Sequence, residues 1–211
     1  MGWTRTDRDS VGAGTRGRAL ALVLMVGLIG ACGNFPFKVG EGPPPNGSAT
    51  DIVPRTDPSA VLSNLMICVG DQKGSEYLEQ LAGGFIFVAD QIDVATLEQN
   101  YPGIFSDWNL DVEGRVAQYM LDTGRCLLAE LTLSNETVLD QPTDTTYSSQ
   151  VVYRLLLLLN NDAQNYSGQA RLFMRKDTNS LWSIYRWEDI RPQGTQEDTW
   201  GIVRGRIRAT M

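Results

Sequence analysis

An α+β domain, a curved antiparallel sheet closing as a cone with three N-terminal helices packed on it, is the fold that this chain predicts from three observations. Helical spacing and helix punctuation are concentrated between Asp57 and Gly124. Beyond Cys126 the apolar residues alternate or form short extended blocks, and turn-rich pieces such as Asn160-Asn161-Asp162 and Lys176-Asp177-Thr178-Asn179 separate those blocks. Helices followed by a strand meander is the order that segregates helices to one side of an antiparallel sheet.

Asp57-Pro58 supplies a cap acceptor and a first-turn proline, after which Val61, Leu62, Leu65, Met66 and Val69 recur at helical spacing and Gly70 closes the helix. Ser75 opens a second, short helix with Tyr77, Leu78 and Leu81 on one face, which Gly83-Gly84 is expected to end. The tetrad Phe85-Ile86-Phe87-Val88 reads as a strand. After an irregular stretch around Pro102-Gly103, Leu110, Val112, Val116, Tyr119 and Met120 mark a third helix that stops at Gly124. The remaining segments, Cys126 to Leu133, Ser148 to Leu159, Gly168 to Arg175, Leu181 to Trp187 and Trp200 to Ala209, all read as extended. Ala170, Leu172 and Met174 oppose Arg171, Phe173 and Arg175, so one sheet face is dry. From Leu181 to Trp187 aromatic residues fall on both faces, and the run Leu155 to Leu159 predicts a central strand buried on both sides, in part by a second copy of the chain.

Residues 1–31 carry a different signal. Arg5, Arg8, Arg16 and Arg18 precede the apolar stretch Ala19 to Ile29, the charge order of a secretory leader. That stretch is about half of the roughly 20 residues a spanning helix needs. Ile29-Gly30-Ala31-Cys32 is similar to the lipobox of bacterial lipoproteins, which implies cleavage before Cys32 and a diacylglycerol on its sulfur. Gly33 follows where an inner-membrane-retaining Asp would otherwise stand. The expected location is therefore the cell envelope, on the outer membrane and facing the periplasm. Residues 32–56 are rich in Gly, Pro, Ser and Asn and read as a tether, leaving residues 57–211 as one domain.

Subtracting the leader's four arginines and two aspartates from the chain's 18 basic and 25 acidic residues leaves 14 and 23, a net charge of −9. No basic face offers itself to phosphate counterions, so nucleic acid is not an expected partner. Arg204, Arg206 and Arg208 read as a solvated strand edge. The chain has no histidine and no spaced set of metal ligands, and no cofactor or metal is predicted. Glu188-Asp189 alone makes a weak cation site, and Asp189 is expected to pair with Arg191 or Arg204.

The order helix, helix, Phe85-Ile86-Phe87, helix, then strands ending Leu181-Trp182-Ser183-Ile184-Tyr185-Arg186-Trp187-Glu188-Asp189, resembles the nuclear transport factor 2-like superfamily, including its polyketide cyclase and ketosteroid isomerase branches. The resemblance covers Asp57 to about Arg208, with Trp182, Ile184, Trp187 and Asp189 as its most pointed spacing. It implies a cone with an internal pocket and homodimers formed through the sheet, and it spans isomerases, dehydratases and domains without known chemistry, so fold alone does not decide function.

Three readings follow. As an isomerase-like enzyme, the chain would use Asp90 or Asp93 as a pocket base, with Tyr101, Tyr119 and Tyr153 as donors to a developing enolate. As a binding protein, it would line a cavity for an apolar small molecule with Phe85, Phe173, Trp182, Tyr185 and Trp187; the same aromatics would equally fill a core. As an interaction module held to the membrane by Cys32, it would present a sheet face to a partner or to its own copy. Cys68 and Cys126 remain after lipidation, as a disulfide or as two buried thiols.

Overall fold

The computed structural model describes residues 51–211. The leader, Cys32 and most of the tether lie outside them. Helix α1 (Pro58–Gly70) starts where the sequence places it: the Asp57 carboxylate accepts the Ala60 N–H at 3.0 Å, and Val61, Leu65, Cys68 and Val69 are buried along one face. Residues 52–55, assigned to the tether from composition, instead dock on the domain. Asn64 brackets Val53 by donating to its carbonyl and accepting its N–H, and Arg55 exchanges hydrogen bonds with the Trp182 backbone.

Helix α2 (Gly74–Glu79) buries Tyr77 and gives way at once to strand β1 (Leu81–Val88). Gly83 and Gly84, expected to end the helix, lie inside β1. Asp90 accepts the Ile92 N–H at 2.8 Å and caps α3 (Gln91–Glu98), a helix without a legible apolar stripe, since only Asp93 and Leu97 are buried on it. Asn109 caps α4 (Leu110–Met120), which buries Val112, Val116, Ala117 and Met120.

Strands β2 (Cys126–Val138), β3 (Thr146–Leu159), β4 (Asp162–Lys176) and β5 (Trp182–Ile190) form an antiparallel meander, and β1 joins it parallel to β5, giving the order β1-β5-β4-β3-β2. Between β3 and β4 the chain turns on Asn160 and Asn161, both left-handed at φ 51° and 66°, the backbone of a two-residue hairpin that asparagine tolerates well.

Three sequence expectations change here. First, β3 lies second from the sheet edge rather than at its centre, and it alternates: Leu155 and Leu157 enter the core while Leu156 and Leu158 are half-buried on the outer face. Second, the β4–β5 register slips between Phe173 and Met174. This bulge at Tyr185 moves the alternation by one residue, so Trp182, Ile184, Trp187 and Asp189 are all buried. Third, Trp200 to Ala209 is not a strand. Thr199 caps helix α5 (Trp200–Arg208), in which Trp200, Val203, Arg204 and Ile207 recur at helical spacing on the buried side. The glycines and β-branched residues around that spacing favour an extended reading; tertiary burial overrides them.

Candidate functional site

The interior of the cone is occupied by α5. Arg204 is fully buried, its guanidinium carbon 4.3, 4.4 and 4.6 Å from the ring centroids of Phe87, Trp187 and Trp200. This corrects its assignment to a solvated edge. From α4, Glu113 enters the same space and accepts Arg204 Nε at 3.1 Å and Nη2 at 2.8 Å on Oε1. Tyr77 donates to that oxygen at 2.6 Å, and Trp108 Nε1 donates to Oε2 at 2.8 Å. Both Glu113 oxygens are thus engaged, as a buried carboxylate requires. Burial acts against the Arg204 charge, but Glu113, Tyr77 and Asp189 outweigh it and raise the pKa further. Burial and the neighbouring Glu113 charge raise the Tyr77 phenol well above its ordinary value.

One turn earlier, α5 meets a second polar group. Tyr153 donates to Asp189 Oδ1 at 2.7 Å while its hydroxyl accepts the Trp200 N–H at 2.8 Å; Gly201 N–H donates to Asp189 Oδ2 at 2.5 Å. Asp189 therefore pairs with neither Arg191 nor Arg204 directly. Arg191 instead donates through Nε and Nη2 to Asp93 Oδ1, at 2.9 and 2.7 Å, and Thr199 donates to Asp93 Oδ2. A Cβ on Gly201 would lie 2.9 Å from Asp189 Oδ2 and 3.1 Å from Asp93 Oδ2, so glycine lets both carboxylates close on the first turn of α5. Burial pushes Asp189 up to about 6 and raises Asp93; the donors around each act in the opposite direction.

Gly168 gives the Tyr153 ring its space, since a Cβ there would fall 2.6 Å from Cζ. Gly168→Ala is expected to displace the ring, break its bond to Asp189 and cost about 1–3 kcal/mol, the usual range for overpacking, read from urea unfolding with a fold check by circular dichroism.

The residues singled out from sequence are distributed as follows. Asp90 is a cap whose second oxygen accepts the Arg191 N–H at 3.0 Å, and Asp93 is buried under Arg191 and Thr199. Of the three tyrosines, Tyr101 is exposed and Tyr119 lies under Arg125, so only Tyr153 faces the interior network. The five proposed pocket aromatics are divided by the sheet. Phe85, Trp182 and Trp187 are buried in the core, whereas Phe173 and Tyr185 pair on the outer face, 6.3 Å apart, beside a shallow cavity of about 210 Å³. Cys68 and Cys126 are free, buried thiols, and burial pushes Cys68 up to about 12. Among the described residues no group of three metal-ligating side chains gathers, and no helix is long and apolar enough to cross a membrane.

The Arg204–Glu113 pair escaped sequence reading. Its signal was the cap residue Thr199 before Trp200, Val203, Arg204 and Ile207, a spacing that makes sense only on a helix.

No sequence-family model and no curated protein matches this chain. Solved structures do. A candidate scytalone dehydratase from Novosphingobium aromaticivorans is 12% identical, with 66% of this chain and 92% of that one aligned at a TM-score of 0.51. A variant protein of unknown function from Mycobacterium tuberculosis is 8% identical over 72% of this chain and 84% of its own, at 0.50. A nuclear transport factor 2-like protein of unknown function in nutrient uptake, from Rhodospirillum rubrum, is 11% identical over 64% and 98%, at 0.49. With the first two the chain shares its fold, an α+β arrangement of a curved sheet with helices packed on it. At these identities the likeness extends to architecture alone.

Proposed function

We propose that this chain is a noncatalytic interaction module, tethered to the envelope through a diacylglycerol on Cys32, that works through its exterior. The observation that supports this best is the filling of the cone: Arg204, Trp200 and Val203 of α5 take up the space in which an internal ligand would sit. Among the described residues, five cavities of about 210 to 540 Å³ have none of Asp93, Tyr153 or Asp189 in their walls. A proton-abstracting role for Asp93 would need Arg191 and Thr199 to release it and α5 to open, which argues against the isomerase-like reading.

A second copy of the chain is the partner we favour on the outer sheet face. Leu127 and Leu128 of β2 are exposed, and Leu128 pairs in register with Leu158, two residues from the half-buried Leu156, so an apolar patch spans two strands and is bordered by Glu130 opposite Leu156. Leu158→Glu should convert a dimer of the detergent-solubilised chain to monomer in sedimentation without loss of fold; a wild-type monomer at micromolar concentration would refute the dimer. The anchor is tested separately. Intact mass of the natively produced protein should show acyl groups on Cys32, and Cys32→Ala should abolish them and release the chain from membranes, whereas an unacylated wild-type mass would refute anchoring.

A further inference from the structure

In a chain of net charge −7, the outer face of β4 and β5 gathers arginines. Register fixes their side: Arg171, Phe173 and Arg175 alternate with the buried Leu172 and Met174, Arg186 stands opposite Phe173, and Glu188 stands opposite Arg171. Aromatic rings support two of the guanidiniums without neutralising them: the Arg175 carbon is 5.2 Å from the Tyr185 centroid, and that of Arg186 is 6.0 Å from Phe173. Glu188 is the acid within this strip, 2.7 Å from Arg186 and 3.9 Å from Arg171, so the strip keeps a positive balance.

The opposite charge adjoins it on the same face. Residues 139–145, which join β2 to β3, hold Asp140 and Asp144 and no basic residue. The Ser148 hydroxyl donates to Asp140 at 2.7 Å, and Ser148 stands opposite Phe173 in register, so this loop folds over the outer face as a lip. Asp140 and Gln141 wall the shallow cavity that Phe173 and Tyr185 also line. Among the described residues none of Asp140, Asp144 and Arg175 is in an ion pair. Two apolar side chains border the two charged groups: Leu139 on the lip is 40% exposed, and Ile86, opposite Arg186 on β1, is 48% exposed.

We propose that each lip docks on the arginine strip of a second copy of the chain, with Asp140 and Asp144 of one copy against Arg175 and Arg186 of the other, and the reverse. This contact rests on the dimer proposed above and names what holds it. A two-fold axis parallel to the strands, between β3 and β4, lays β3 of one copy on β4 of the other and β2 on β5, at the same height in the sheet. Every lip then meets a strip, the contact is made twice, and Leu139 is brought toward Ile86. Leu156 and Leu158, on β3, stay beside the axis. Charges that adjoin without pairing within one copy are thereby paired between copies, and such complementarity selects which surfaces meet and how fast.

Sedimentation of the full chain in a neutral detergent tests the exchange. Between about 50 and about 500 mM sodium chloride the dissociation constant of the dimer should rise about tenfold, since screening weakens exposed charge pairs. One variant carries Asp140→Lys and Asp144→Lys; the other carries Arg175→Glu and Arg186→Gln, the second change being neutral because Glu188 stands beside that position. Each alone should be monomeric where the wild type is dimeric, and an equimolar mixture should form a heterodimer, because both of its lip-to-strip contacts join opposite charges. A dimeric wild type indifferent to salt, or a mixture that stays monomeric while both variants keep the wild-type circular dichroism, would overturn the exchange and leave the leucine-based dimer standing. A monomeric wild type would overturn both. Where a variant loses the wild-type circular dichroism, the salt dependence of the wild type decides.

Discussion

Replacing Arg204 by alanine is expected to lower the unfolding free energy of the domain by about 3–5 kcal/mol, the scale of stranding one partner of a buried ion pair. Glu113, 1% exposed, would keep Tyr77 and Trp108 as donors but lose its counter-charge. The three aromatic rings around the guanidinium would also lose their shared contact. Glu113→Ala should cost a similar amount from the other side. The double variant Arg204→Ala, Glu113→Ala should lose less than the two single losses added together, because no charge is left uncompensated. Urea unfolding of the four proteins measures the coupling; strict additivity would show that the pair contributes nothing as a pair.

The second large effect is a pH dependence of unusual sign. Burial raises Asp189 from its ordinary 3.8 to about 6, with Tyr153 and Gly201 as donors, Arg204 lowering it and Asp93 raising it. A carboxyl that holds its proton more tightly when folded favours the folded state at low pH. Its contribution is therefore present below the unfolded value and lost as pH rises toward 6, about 3 kcal/mol over that interval. Asp93, also raised, acts in the same direction. Asp189→Asn removes the titration, so the difference in stability between wild type and variant should change by about that amount between pH 4 and 7, whatever constant offset the amide adds at Gly201. A difference that stays flat across the range would show that Asp189 titrates normally.

The fold was legible where local and tertiary preferences agree. Asp57 capping a helix with Val61 and Leu65 on one face, and Ala170, Leu172 and Met174 alternating with charged neighbours, left little ambiguity of period or boundary. Legibility failed where one residue changes the phase or where burial outweighs propensity. The bulge at Tyr185 reverses which face Trp187 occupies, and nothing in the residue types around it announces an extra residue. Gly201 and Gly205 argue against a helix in isolation, yet each sits where a side chain would strike a neighbour: Asp189 and Asp93 in the first case, Leu97 and Phe105 in the second. The interior site was hidden for the same reason. Arg204 and Glu113 are 91 positions apart, and a charge read without its partner looks solvated. Asp90 and Asp93 were visible as residues, but their engagement with Arg191 depends on a return of the chain that only the sheet topology supplies.

Parallel pairing of β1 with β5 also sets a timetable. Residues 81–88 enter the chain about a hundred positions before the strand that flanks them, and α5, which closes the cone, follows later still. Loop-closure entropy must be met before such distant contacts return any stability, so the β2–β4 meander can form early while β1 and the helices on it wait. During synthesis a chain cut short before Thr199 would expose Phe87, Trp187 and an unpartnered Glu113 together. Closure by α5 thus makes completion of the cone a late step, and leaves β1 and the helices on it open until residues 199–208 have been made.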